Sequence, residues 1–233
     1  MTALAWMHQC TELFLAALSQ LSDDELGRPT ALPGWSRRHL LAHVGFNARA
    51  LQRLAVWART GEPHPMYGSP EQRVTEIATG ATWDGPRLRA FVSDSAAELA
   101  AELDGLDDGQ WRAVVVTAQG RTVPATEIPW LRTREVAVHA VDLGGPVTFD
   151  DLPTDLCLAL VADVVARRSS LRRDPPLTLR ASTGQTWTID TGPDPVVVAG
   201  SPAQLARWLT GRGPGELRPE HPELPLPVLT PWL

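Results

Sequence analysis

The chain has 233 residues, 43% apolar and 21% charged, the profile of an ordinary globular protein with room for a substantial core. Its net charge of −6, with basic residues scattered singly or in pairs, argues against nucleic acid as the main partner. All 21 basic residues are arginines, which excludes Schiff-base and lysine-nucleophile chemistry.

Leu4, Met7, Leu13, Leu15, Leu18 and Leu21 recur at helical spacing and predict a first helix over residues 4–21. Polar and acidic residues fall too early for a secretion leader, and no window reaches membrane-spanning length, so a reducing cytoplasm is the expected compartment. Residues 23–34 read as loop. Ser36 suits the N-cap of a second helix running to about Arg59, with Leu40, Val44, Leu51 and Leu54 on its apolar face. His43 lies near that face, whereas Arg37 and Arg38 read as solvent-facing. Residues 61–70 are loop, and Ser69-Pro70 opens a short helix to about residue 78. A further helix spans residues 86–103. Residues 111–116 read as a strand that pairs with 121–123 across Gly120. The next helix begins near residue 126, takes Pro129 in its first turn, and stops at Gly144-Gly145-Pro146.

The pattern then changes. A helix over residues 154–169 precedes β-like runs at 177–181, 186–190 and 195–199, and Ser201-Pro202 opens a helix to about residue 210. The tail from Gly211, rich in proline and glycine, is expected to wander over the surface. The fold class is therefore mainly α with an α+β C-terminal part: a helical bundle in residues 1–148 and a small α+β domain in 149–233.

Glu135 and His139 are four residues apart within a helix, so both side chains share one face. With His43 they form a set of two nitrogens and one carboxylate that suits a divalent metal such as zinc. Three protein ligands leave a fourth position open, the mark of a catalytic rather than a structural site. A Glu135–His139 hydrogen bond along the helix would satisfy the same pair without metal. His39 and His43 form a rival pair, ranked lower because His39 follows two arginines. Asp142, one turn past His139, is either an orienting partner or a bystander. Arg212 follows a helix end and suits an anionic substrate, or serves solubility alone. Trp35 and Trp130, near the starts of the two ligand-bearing helices, read as packing residues. Cys10 and Cys157 lie in apolar helical stretches outside any CxxC pair and read as buried, inert thiols. A thiol that takes part in the chemistry would thus arrive as a cofactor.

Leu32-Pro33-Gly34-Trp35-Ser36 followed by Leu41-Ala42-His43 resembles the second-helix signature of the mycothiol-dependent maleylpyruvate isomerase family, which belongs to the DinB-like metalloenzymes. Residues 129–143, from Pro129-Trp130 through Glu135 and His139 to Asp142-Leu143, resemble that family's last bundle helix. The likeness extends through residues 69–81 and, more loosely, to Trp208-Leu209-Thr210-Gly211-Arg212. It implies a DinB-like four-helix bundle plus a small sterol-carrier-like α+β domain. It implies zinc (Zn2+) held by His43, Glu135 and His139, mycothiol as a second cofactor, and Arg212 as a catalytic residue. The implied partners are a small-molecule substrate and a low-molecular-weight thiol, with no nucleic acid or membrane, and a monomer is expected. The implied reaction converts maleylpyruvate to fumarylpyruvate. A thiolate adds to the activated double bond, the resulting single bond rotates, and the thiol is expelled. Ala137 stands inside ExxxH where relatives often carry a bulkier residue, which implies a different pocket shape. Two other readings fit the same ligand set. A mycothiol S-transferase acting on electrophiles would leave a stable thioether. A non-catalytic zinc-binding or regulatory module would hold a metal site insensitive to added thiol, although no fourth protein ligand stands out.

Overall fold

Helix starts fall where the sequence supplies caps. In the computed structural model, which describes residues 2–232, α1 (Ala3–Ser19) begins where the Thr2 side chain accepts the Ala5 N–H. Ser36 precedes α2 (Arg37–Thr60), and Ser69 accepts the Gln72 N–H to open α3 (Pro70–Gly80). Asp84 does the same for α4 (Gly85–Asp104), and Asp107 caps the one-turn α5 (Asp108–Trp111). After α6 (Ile128–Asp142), Gly144 adopts a φ of +66° that closes the helix end. α1 packs on α6, and α2 packs on α3, α4 and α6. Met7, Leu51, Leu54, Leu99, Leu103 and Ile128 are among the residues of the shared core.

α2 is held at close range. A Cβ at Gly45 would stand 2.3 Å from the Phe91 ring of α4, and one at Gly80 would stand 2.7 Å from Ala42 Cβ. Two buried arginines tie α2 to α6. Arg37 Nε donates to the Leu143 carbonyl at 2.6 Å, while its Nη2 reaches the Gly144 carbonyl and its Nη1 the Glu25 carbonyl, both at 3.2 Å. The expectation that Arg37 faces solvent is thus corrected: the last carbonyls of α6 lack intrahelical donors, and a buried guanidinium supplies them. Arg132 Nη1, on α6, donates to the Val44 carbonyl at 2.7 Å and to Asn47 Oδ1 at 2.9 Å.

β1 (Val114–Val116) and β2 (Thr122–Pro124) form the expected hairpin, with Val115 opposite Val123. The strand starts later than the sequence pattern predicts, because the Asp107 cap draws Trp111 into α5. A 3-10 turn at Asp24–Gly27 likewise interrupts the expected loop.

The chain divides into two compact units, the first reaching Val147 and the second running from Thr148. The second contains α7 (Thr154–Leu171), β3 (Leu177–Ala181), β4 (Thr186–Ile189), β5 (Val196–Gly200), α8 (Pro202–Leu209) and β6 (Arg218–Pro219). Its sheet has the order β4-β3-β5-β6, with β3 and β5 parallel and the other pairs antiparallel. The tail does not simply wander. Leu217 and Pro219 are buried, and Thr230 is held by a buried ion pair. Arg168 Nη1 donates to Asp174 Oδ2 at 2.6 Å, and Arg168 also donates to the Leu209 and Thr230 carbonyls. Asp174 Oδ1 accepts from the Thr230 N–H at 2.7 Å and from its hydroxyl at 3.0 Å. Composition suggests mobility there, but specific polar partners override it. Among the described residues, no helix is long and apolar enough to cross a membrane.

Candidate metal centre

α2 and α6 bring His43, Glu135 and His139 together. Glu135 Oε2 lies 2.8 Å from His43 Nε2 and 3.4 Å from His139 Nε2. The two imidazoles meet edge to face with ring centroids 5.0 Å apart. One ligand atom from each of the three residues lies within 4.8 Å of the others, a set that could hold a metal ion. The side chains are only 6%, 17% and 12% exposed in chain order, so this is a shielded cluster rather than a solvated acidic face.

Both histidines have partners behind them. Asp142 Oδ2 stands 2.8 Å from His139 Nδ1, which leaves Nε2 turned toward Glu135. This is the geometry of an orienting carboxylate, so of the two readings of Asp142 the structure favours the partner. Trp35 meets the His43 ring edge-on at 5.3 Å between centroids. Arg73, on α3, places Nη2 3.4 Å from His43 Nδ1. Tyr67 interacts with the Arg73 guanidinium, and burial raises its phenol above the usual range.

The electrostatics follow from this crowding. Burial works to raise the Glu135 carboxyl, but hydrogen bonds from His139 and His43 outweigh it and hold the group well below the ordinary carboxylate range. Burial lowers His43, and the Glu135 hydrogen bond offsets this only in part. Burial also works to lower His139, but Asp142 and Glu135 outweigh it and raise the imidazole. Arg132, one turn from Glu135 on α6, is lowered to about 10 by burial, with the Glu135 charge opposing.

Of the four residues expected from sequence to serve as metal ligands or in catalysis, His43, Glu135 and His139 converge. Arg212 belongs to the second unit, half-buried in the loop after α8, where its Nη1 donates to the Thr210 carbonyl at 2.5 Å. His39, the rival histidine, serves the start of α2: its Nδ1 accepts the Ser36 N–H at 3.3 Å and lies 2.8 Å from the Ser36 hydroxyl. Trp130 packs against Trp6, with centroids 6.0 Å apart. Arg73 and Arg132 were not singled out from sequence. Arg132 had a signal, since it precedes Glu135 by three residues on the same helix. Arg73 had none, because α3 contributes no other residue to the cluster.

Fold and site together define a class: a helical bundle that carries a shielded His–Glu–His cluster, in a chain with a second, small α+β unit. A family model described as the mycothiol maleylpyruvate isomerase N-terminal domain matches residues 7–144. A crystal structure of a mycothiol-dependent maleylpyruvate isomerase matches with a TM-score of 0.93 and 39% identity, covering 97% of this chain and 95% of that one. A histidine-to-alanine mutant of that isomerase gives the same values. YfiT from Bacillus subtilis, described as a probable metal-dependent hydrolase with an unusual four-helix bundle topology, matches more loosely. Its TM-score is 0.48 at 19% identity, covering 60% of this chain and 84% of that one. No curated protein sequence matches. The chain belongs to the mycothiol maleylpyruvate isomerase family.

Proposed function

We propose that this protein is a zinc- and mycothiol-dependent cis–trans isomerase that converts maleylpyruvate to fumarylpyruvate. The observation that carries this reading is 39% identity, over 97% of the chain, to a mycothiol-dependent maleylpyruvate isomerase. We read residues 1–148 as the metal-binding domain and 149–233 as its C-terminal companion. The centre suits a divalent ion, since two imidazoles and a carboxylate already converge and Asp142 fixes one ring from behind. His43, Glu135 and His139 are the residues that would hold the ion. Zinc and mycothiol together supply a thiolate at neutral pH, able to add reversibly to the substrate's double bond.

The chain's own thiols are unsuited to that task. Burial pushes the Cys10 thiol up to about 12, and Cys157 is buried with its Sγ 3.7 Å from the Phe149 carbonyl. Trp35 shields one edge of the His43 ring from water. We assign the holding of a substrate carboxylate, and of the charge that develops beside it, to Arg212, whose planar fork makes two parallel bonds. Gly211 and Gly213, both at a φ of +83°, set the backbone that presents this arginine.

The test mixes zinc-loaded protein, mycothiol and maleylpyruvate and follows the substrate's absorbance. Thiol-dependent loss of substrate is expected, with the thiol recovered unchanged. No thiol-dependent change, or a stable thioether as product, overturns the assignment.

A further inference from the structure

Arg73 makes a contact that is incompatible with a metal ion on His43. Its Nη2 stands 3.4 Å from His43 Nδ1. A guanidinium has donors only, so the lone pair at this contact belongs to Nδ1. With Arg73 as the donor to Nδ1, the ring proton of neutral His43 belongs on Nε2, which faces Glu135 Oε2 at 2.8 Å. A metal held between His43, Glu135 and His139 takes the Nε2 lone pair, and the same ring proton then sits on Nδ1. Donor faces donor at Arg73, and a fixed cation stands close to a divalent one.

We infer that Arg73 and the metal compete for His43, so that loading the metal releases the Arg73 guanidinium to hold an anionic group of a bound molecule. The inference rests on the metal reading above. Three observations favour an anion as the new partner of Arg73. Its place on α3 is half-buried, so the freed group stays near the centre. The Tyr67 hydroxyl lies beside it and can share a carboxylate. Glu76, one turn along α3 from Arg73, already accepts from Gln72 Nε2 at 2.7 Å and pairs with Arg53 at 3.8 Å. Because each ligand releases or occupies the same side chain, metal and anion strengthen one another's binding.

Zinc affinity is measured by chelator competition for the full-length protein and its Arg73→Met variant, with and without fumarate as a probe dianion. The variant is expected to bind zinc about fivefold more tightly, the upper end of what a half-exposed charge contributes. Fumarate is expected to tighten zinc binding in the parent protein and to leave the variant unchanged. Nitrogen-15 NMR provides a readout independent of any variant: His43 Nδ1 resonates as a bare acceptor without zinc and as N–H with it. Equal or weaker zinc binding in Arg73→Met overturns the inference, as does a fumarate effect that survives the substitution. If the parent protein takes up no zinc that depends on His43, the metal reading itself fails, and this inference with it.

Discussion

At the scale of single residues, the centre depends on three ligand side chains and one carboxylate behind them. His43→Ala and Glu135→Ala are each expected to lose bound zinc, read as metal content after dialysis. Near-stoichiometric zinc in both variants would refute the site. Asp142→Asn separates orientation from charge. Loss of the orienting carboxylate is expected to weaken zinc binding about tenfold or more at neutral pH. Its second effect concerns acid. A metal binds neutral imidazole, and Asp142 and Glu135 raise His139, so protons compete with zinc from a higher pH than an ordinary histidine allows. In Asp142→Asn the acid limb of zinc binding therefore moves to lower pH, which a chelator titration across pH 5–8 reads directly. Cys10 gives an alkaline counterpart. Its thiol is raised from 9.0 to about 12 by burial, so its neutral form favours the folded state. That stability is present in full below pH 9.0 and is lost progressively as pH rises toward about 12. The same burial predicts that thiol reagents label Cys10 only upon unfolding.

At the scale of elements, what matters is how α2 and α6 are held. Gly45→Ala forces a methyl group into the Phe91 ring and is expected to cost about 1–3 kcal/mol in denaturant unfolding. Arg37→Met leaves the Leu143 and Gly144 carbonyls without their donor, at a similar expected cost of about 1–3 kcal/mol. These ties also mark the limit of what sequence reveals. Glu135 and His139 were legible because helical periodicity puts them a turn apart, and His43 because it lies near an apolar stripe. The caps at Ser69 and Ser201 were legible as well, since a Ser before a proline-opened helix acts within four residues. Arg37 was misread because two of its three acceptor carbonyls, at Leu143 and Gly144, lie more than a hundred residues away. Arg73 was invisible for the same reason: the His43 ring it meets is 30 residues off, on another helix.

At the scale of the whole molecule, the two units follow different logics. The first places its chemistry between helices, whereas the second uses a buried ion pair to fix a tail that composition alone would leave loose. Asp174→Ala would strand Arg168 as a buried, unpaired cation and release Thr230. The expected cost is about 3–5 kcal/mol, seen as early unfolding of the second unit or as faster proteolysis of the tail. The arginine ties of the first unit have a different consequence. Arg37 and Arg132 bond backbone carbonyls and an amide side chain, none of which belongs to the ligand set. The distance between the ligand-bearing helices is thus set by groups that an ion never touches. Stripping zinc with a chelator should leave the helical circular dichroism signal intact, while added zinc raises the unfolding temperature by mass action alone. On the proposed reading the fold would precede its ion, unlike small zinc domains that collapse without theirs.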